Sequence, residues 1–174
     1  MKTGNQKTFD KYINLAKEVH RGKKWWGGSL LPFIGEIDSL MNDLGAKTLL
    51  DYGCGKAQGH PEHWSGYAKY DPAYPPFSEK PVGKFDVVIC TDVMEHVPEC
   101  CVDYVLREIF DYSKIAVFLA IATKPARGRL SNGENKHLTV KPIEWWDGKI
   151  KELSENTNIP YILHEGMRGT GKTS

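Results

Sequence analysis

The run Asp51-Tyr52-Gly53-Cys54-Gly55 follows an apolar stretch that reads as a strand. Glycines at a strand end permit positive φ and let a ligand approach the backbone. In a doubly wound sheet, ligands bind at the carboxyl ends of the strands, near the point where strand order reverses. Gly53, Gly55 and Gly59 approximate a dinucleotide-binding pattern, but Asp51, two residues before the first glycine, would repel a pyrophosphate. The same carboxylate would attract a ligand with a cationic amino-acid part. A second acid, Asp71, lies twenty positions further on, at the end of the next short strand. A carboxylate there can accept hydrogen bonds from both hydroxyls of a ribose.

A ligand that satisfies both acids is S-adenosylmethionine, which carries an ammonium and a sulfonium and no phosphate. Methyl transfer from it needs chiefly an aligned acceptor. A general base is required only where the acceptor must lose a proton. His96 and His137 are the candidates, because both are expected at the carboxyl edge of the sheet and an unperturbed imidazole titrates near pH 6.5. The competing reading is that His96 caps the helix after it and His137 fixes its own loop.

These groups need elements to position them. Phe9, Tyr12, Ile13, Ala16 and Val19 recur at helical spacing, which predicts an amphipathic helix over Thr8 to His20. Trp25 and Trp26 stand in a loop, and either Trp26 or Tyr12 is a candidate lid over the ligand. Ser29 is expected to cap a second helix carrying Leu30, Ile34, Ile37, Leu40, Met41 and Leu44, with Gly45 as its stop. Strands are expected at Lys47 to Tyr52, Gly66 to Asp71, Phe85 to Thr91, Ile115 to Ala122 and Ile159 to Leu163. Helices follow Pro98 and Pro142, and a nineteen-residue loop, Thr123 to Lys141, is long enough to be functional. Alternating strands and helices predict an α/β domain: a reduced, Rossmann-like, doubly wound and mainly parallel sheet with flanking helices. One domain is expected over 1–174, comprising a helical cap (1–45), the core (46–165) and a tail (166–174).

The chain resembles the class I S-adenosylmethionine-dependent methyltransferases. Thr48 to Gly59 (TLLDYGCGKAQG) is similar to their first motif, and Lys69 to Tyr74 (KYDPAY) to their acidic ribose motif. Lys84 to Glu99 (KFDVVICTDVMEHVPE) and His137 to Trp146 (HLTVKPIEWW) resemble two later segments in the family's order. More narrowly, the small size and the NGENKH loop resemble compact bacteriophage members. The resemblance implies that Asp51, Tyr52, Gly53, Cys54, Gly55, Tyr70, Asp71, Pro72, Thr91 and Asp92 bind the cofactor. Ala57 stands where the family has a third glycine, and the stretch from Asp71 to Phe85 is too brief for a usual third strand with its helices. The implied activity is methyl transfer to an acceptor, expected to be a small molecule. The alternatives are a binding module that no longer transfers methyl groups and an enzyme that consumes the cofactor without an acceptor.

Composition narrows the classes. The chain has 174 residues, 23 Lys plus Arg against 22 Asp plus Glu, and a net charge of +1. Such balance offers no global attraction to nucleic acid or acidic membranes. The longest apolar run, Ile115 to Ala122, is too short to span a bilayer. The opening residues carry no signal-peptide pattern, and the four cysteines form no disulfide framework. A soluble cytoplasmic protein is expected. No metal is expected, because His60 and His63 with Cys54, Cys100 or Cys101 match no ligand spacing, and both histidines read as surface residues. Asp71-Pro72-Ala73-Tyr74 partly matches a signature of base-amino methyltransferases, but its position before Phe85 argues against a nucleic-acid base as acceptor. Gly166 to Thr173 matches the phosphate-loop pattern, yet only Ser174 follows where a helix is required.

Overall fold

A computed structural model describes residues 3–21 and 28–166. Trp25, Trp26 and the phosphate-loop-like motif beyond Gly166 lie outside them. Five strands form one sheet: β1 (Leu49–Tyr52), β2 (Ala68–Tyr70), β3 (Phe85–Thr91), β4 (Ser113–Ile121) and β5 (Tyr161–Glu165). Their spatial order is β2-β1-β3-β4-β5, and every pairing is parallel. Among the described residues four α-helices accompany them: α1 (Thr3–Arg21), α2 (Ile34–Asp43), α3 (Val102–Tyr112) and α4 (Ile143–Thr157). This is a Rossmann-like, doubly wound α/β fold. No helix among the described residues is long and apolar enough to cross a membrane.

The strands form because a parallel sheet covered on both faces needs apolar residues on both sides. Val88 and Cys90 of β3, with Val117, Leu119 and Ile121 of β4, pack under α3 and α4 against Leu106, Phe110, Trp146 and Ile150. Val87 and Ile89, with Ala116 and Phe118, face the other way, onto Ile37 and Met41 of α2 and onto Trp64. Burying each such large side chain stabilises the fold by roughly 1.5–3 kcal/mol. Helix α2 is part of one face of the core, while α1 sets Phe9 against the cluster on the other face, beside Tyr104 of α3.

The chain leaves β1, places β2 on one side, and returns to place β3 on the other. The reversal puts the ends of β1 and β3 at the switch point. Strand β3 occupies its expected span. Helix α1 starts five residues earlier than its apolar stripe predicts. Ser29 does not cap α2: a 3-10 turn with Pro32, Leu31–Phe33, intervenes and begins after Leu30. Gly45 does close α2, at φ 60°, in a Schellman arrangement with Gly45 N–H on the Asn42 carbonyl and Ala46 N–H on the Met41 carbonyl. The last strand starts two residues later than expected. Pro160 has no N–H for a ladder and instead accepts the Val117 N–H through its carbonyl.

Candidate functional site

The glycine loop is held by the strand beside it. The N–H groups of Gly53 and Cys54 both donate to the Tyr70 carbonyl, at 2.7 and 3.2 Å. Gly53 has φ 82°, and a Cβ built on it would lie 2.3 Å from Val93 Cγ2. Glycine is therefore required twice over, by the backbone and by the packing of the β3 loop against it. Ala57 has φ 51°, so a left-handed turn persists here without a glycine.

Asp71 organises the adjoining turn. Its Oδ2 accepts Gly55 N–H at 2.8 Å and its Oδ1 accepts Ala73 N–H at 2.7 Å. Each oxygen keeps a further lone pair. His20 at the end of α1 brings Nε2 to 3.9 Å from Asp71 Oδ2, and its ring meets Tyr74 at 5.9 Å. Burial holds the His20 imidazole below its usual pKa, although Asp71 acts in the opposite sense.

Between these parts lies a cavity of about 170 Å3. Its floor is the carboxyl edge of the sheet: Tyr52, Gly53, Gly55, Asp71, Pro72, Thr91, Asp92 and His96. Phe9, Tyr12, Ile13, Ala16, Val19 and His20 of α1 form another wall, and Leu130, Lys136 and Leu138 close it from the long loop. The apolar stripe of α1 thus faces the cavity. Tyr12 O–H donates to Glu134 at 2.7 Å and ties helix to loop. That bond pushes the Tyr12 phenol up and holds the Glu134 carboxyl down.

Asp51, Cys54, Tyr70 and His137 do not line the cavity. Asp51 is buried, its Oδ2 lying 2.6 Å from His60 Nε2. His60 is therefore no surface residue, as its polar surroundings in the sequence suggested; only 6% of its side chain is exposed. His63 is exposed and pairs with Asp38. Burial, ahead of Asp51, pushes the Cys54 thiol far up, which leaves it inert as a nucleophile.

Beyond β3 the chain makes a tight turn. Asp92 has φ 60° and gives its N–H to the Ala120 carbonyl at 2.9 Å. A 3-10 turn, Met94–His96, follows. The long loop is threaded against it: Thr139 N–H bonds to the Glu95 carbonyl, and Thr139 Oγ1 donates to the Val97 carbonyl. The loop also carries an antiparallel bridge between Arg129 and Asn135. His96 Nδ1 lies 2.8 Å from the Lys136 carbonyl, and His137 Nδ1 lies 2.5 Å from the Lys124 carbonyl. The two rings meet edge to face with centroids 4.8 Å apart. One potential ligand atom from each of Asp92, Glu95, His96 and His137 falls within 4.8 Å of the others. Glu95 is fully buried; its Oε1 accepts Ala122 N–H, while Oε2 has no donor. Burial, and then Asp92, push the Glu95 carboxyl well above the carboxylate range. Burial holds His96 below its usual value.

Sequence reasoning named Asp92, His96 and His137 singly and did not join them with Glu95. It also passed over His20, although His20 continues the α1 stripe one turn beyond Ala16. Neither the comparison with protein-family models nor that with curated proteins finds a match to the chain.

Proposed function

We propose that the chain is an S-adenosylmethionine-dependent methyltransferase whose acceptor, a small molecule, enters the cavity beneath α1. One observation carries the reading. The switch-point cavity is walled by the carboxylates of Asp71 and Asp92, and no α-helix follows the glycine loop. Between β1 and β2 there is only a three-residue 3-10 turn, Glu62–Trp64. Dinucleotide sites hold a pyrophosphate on a helix N-terminus after such a loop. This loop has no such device, and its acids favour a cationic ligand.

The residues present fit that cofactor. Asp71 keeps one lone pair on each oxygen for ribose hydroxyls while the backbone N–H groups of Gly55 and Ala73 hold it in place. At Gly53 and Gly55 the floor carries no side chain, which lets a ligand approach the backbone there. The cofactor, when bound, supplies an electrophilic methyl group on a sulfonium. The apolar face of α1 excludes water from the cavity, and the loop residues Leu130 and Leu138 complete the enclosure. His96 stays neutral near pH 7, and because its Nδ1–H is given to the Lys136 carbonyl, Nε2 is its acceptor atom.

Calorimetric titration tests the reading, with S-adenosylhomocysteine and with NAD as separate ligands. Saturable binding of the first and none of the second is expected. Binding of NAD alone overturns the proposal. Incubation with labelled S-adenosylmethionine, with and without candidate small-molecule acceptors, then distinguishes transfer from binding alone and from consumption without an acceptor.

A further inference from the structure

We propose that Asp92, Glu95, His96 and His137 form a site for one divalent transition-metal ion at the edge of the cavity. The set mixes two carboxylates with two imidazoles, one candidate ligand atom from each lying within 4.8 Å of the rest. The imidazoles suit Zn2+, Fe2+ and Ni2+, and the carboxylates, which also suit Mn2+, supply the charge.

Three features separate this cluster from a chance meeting of polar residues. Both imidazoles are already set for ligation. The Nδ1 atoms of His96 and His137 face the Lys136 and Lys124 carbonyls, which accept and cannot donate. Each Nδ1 therefore carries the proton, and each Nε2 keeps its lone pair. A backbone carbonyl or carboxylate behind the far nitrogen is the usual support of a metal-bound histidine. Second, Glu95 is fully buried with Oε1 held by Ala122 N–H and Oε2 unmatched by any donor, and one of its two oxygens is among the clustered atoms, beside Asp92. Third, Asp92 sits at φ 60° in the turn after β3, a left-handed conformation that aspartate and asparagine adopt more readily than other non-glycine residues, and its N–H is held by the Ala120 carbonyl.

An ion with bonds of about 2.1 Å holds its ligands roughly 3–4.2 Å apart, so atoms that all lie within 4.8 Å of one another need only small movements to close on it. Asp92 and His96 also line the cavity. A six-coordinate ion held by the four residues would keep about two positions for other ligands, and Asp92 and His96 border the space assigned to the acceptor. Resting on the methyltransferase reading, this favours an acceptor that presents oxygen, which the ion binds and whose hydroxyl it makes more acidic. His96 and His137 then serve as ligands instead of as general bases.

The test uses the full chain after treatment with a chelator, titrated calorimetrically with Mn2+ and, separately, with Zn2+. One ion per chain is expected for at least one of them. Asp92→Asn, which suits the left-handed backbone, and His137→Ala, at the loop, should each weaken it at least tenfold. His63→Ala, at an exposed histidine, should leave it unchanged. Circular dichroism establishes that each variant is folded; if Asp92→Asn is not, His137→Ala decides. The absence of saturable binding of either ion, or equal affinity in the wild type and His137→Ala, overturns the site. S-adenosylhomocysteine binding by the metal-free chain is read in parallel. Its loss with metal binding intact counts against the methyltransferase reading alone, and the converse counts against the metal site alone.

Discussion

His60 Nε2 lies 2.6 Å from Asp51 Oδ2, and both side chains are sealed beneath the glycine loop. Burial raises the Asp51 carboxyl and His60 lowers it again. His60→Ala leaves a buried acid without its partner, a change that costs about 3 kcal/mol. Without His60 the folded-state pKa of Asp51 rises further. The deficit is therefore largest above that pKa and shrinks as pH falls through it and the acid becomes neutral. Urea unfolding at pH 7 and pH 5 should show the smaller loss at pH 5; equal losses would mean that the pair is not ionic. Asp51→Asn combined with His60→Ala should cost less than His60→Ala alone at pH 7.

Asp86 joins the starts of two strands. Its Oδ2 accepts the N–H groups of Lys47 and Thr48, at 2.8 and 3.0 Å, and Lys114 lies 3.4 Å from Oδ1. The Lys47 N–H contributes most to holding its carboxyl down, to about 2. A depressed acid contributes stability that is present above its unfolded pKa and is lost as pH falls through the folded one. The contribution is on the order of 1–2 kcal/mol after allowance for solvent screening. Asp86→Asn should lower stability at pH 7 by that amount and flatten the acid limb between pH 4 and pH 2. An acid limb identical to the wild type's would show that other groups dominate it.

Gly53→Ala meets Val93 and an unfavourable φ together. Overpacking costs about 1–3 kcal/mol and the left-handed backbone about 1–2 kcal/mol. Unfolding experiments should show a loss of about 2–5 kcal/mol, the sum of the two. Adding Val93→Ala should recover the packing part and leave the backbone part. If the double variant is no more stable than Gly53→Ala, the contact with Val93 is not the cause.

At Asp71 the loop and the proposed ligand make separate demands. Asp71→Ala frees the N–H groups of Gly55 and Ala73, so it should cost about 1–3 kcal/mol of stability. Loss of charge-assisted bonds to a ribose should weaken S-adenosylhomocysteine by roughly 1.5–3 kcal/mol. Asp71→Asn keeps one acceptor oxygen and should recover part of both. An unchanged affinity in a folded Asp71→Ala variant would place the ribose elsewhere.

Hydrogen exchange should show α1 and the 123–141 loop protected by S-adenosylhomocysteine, or by product with acceptor, more than α3. Both segments wall the cavity, whereas α3 packs mainly on the sheet through Leu106, Ile109 and Phe110. Protection confined to Gly53–Asp71 would mean that the acceptor is held by another protein.

The parallel strands were legible because burial on both faces leaves unbroken apolar runs, as in Val87 to Cys90. The glycine loop was legible because its residue types are demanded by local backbone conformation. Pairings across distance were not. His60 looked like a surface residue because its partner, Asp51, lies on the other side of a glycine turn. Asp92, Glu95 and His96 stand at positions i, i+3 and i+4, a spacing that can gather ligands on one side of a turn. The fourth member, His137, lies 41 positions beyond His96 and arrives only because the loop is bonded back through Lys136 and Thr139. Ser29 is a good capping residue on composition, yet Pro32 made a tighter turn start the element instead.

Helix α1 is tied down by residues that come much later in the chain. Asn5 gives its side-chain N–H to the Cys100 carbonyl, and Tyr12 reaches Glu134. Sequence separations of 95 and 122 residues make these contacts among the most expensive in loop entropy. During synthesis α1 can meet Asp71 and Cys100 before Glu134 emerges, but the tie to the long loop must wait for Glu134, by which time β1 to β4 already exist as chain. The enclosure over the carboxyl edge thus joins the first helix to a loop made after four of the five strands, and only β5 with the helix before it is made later.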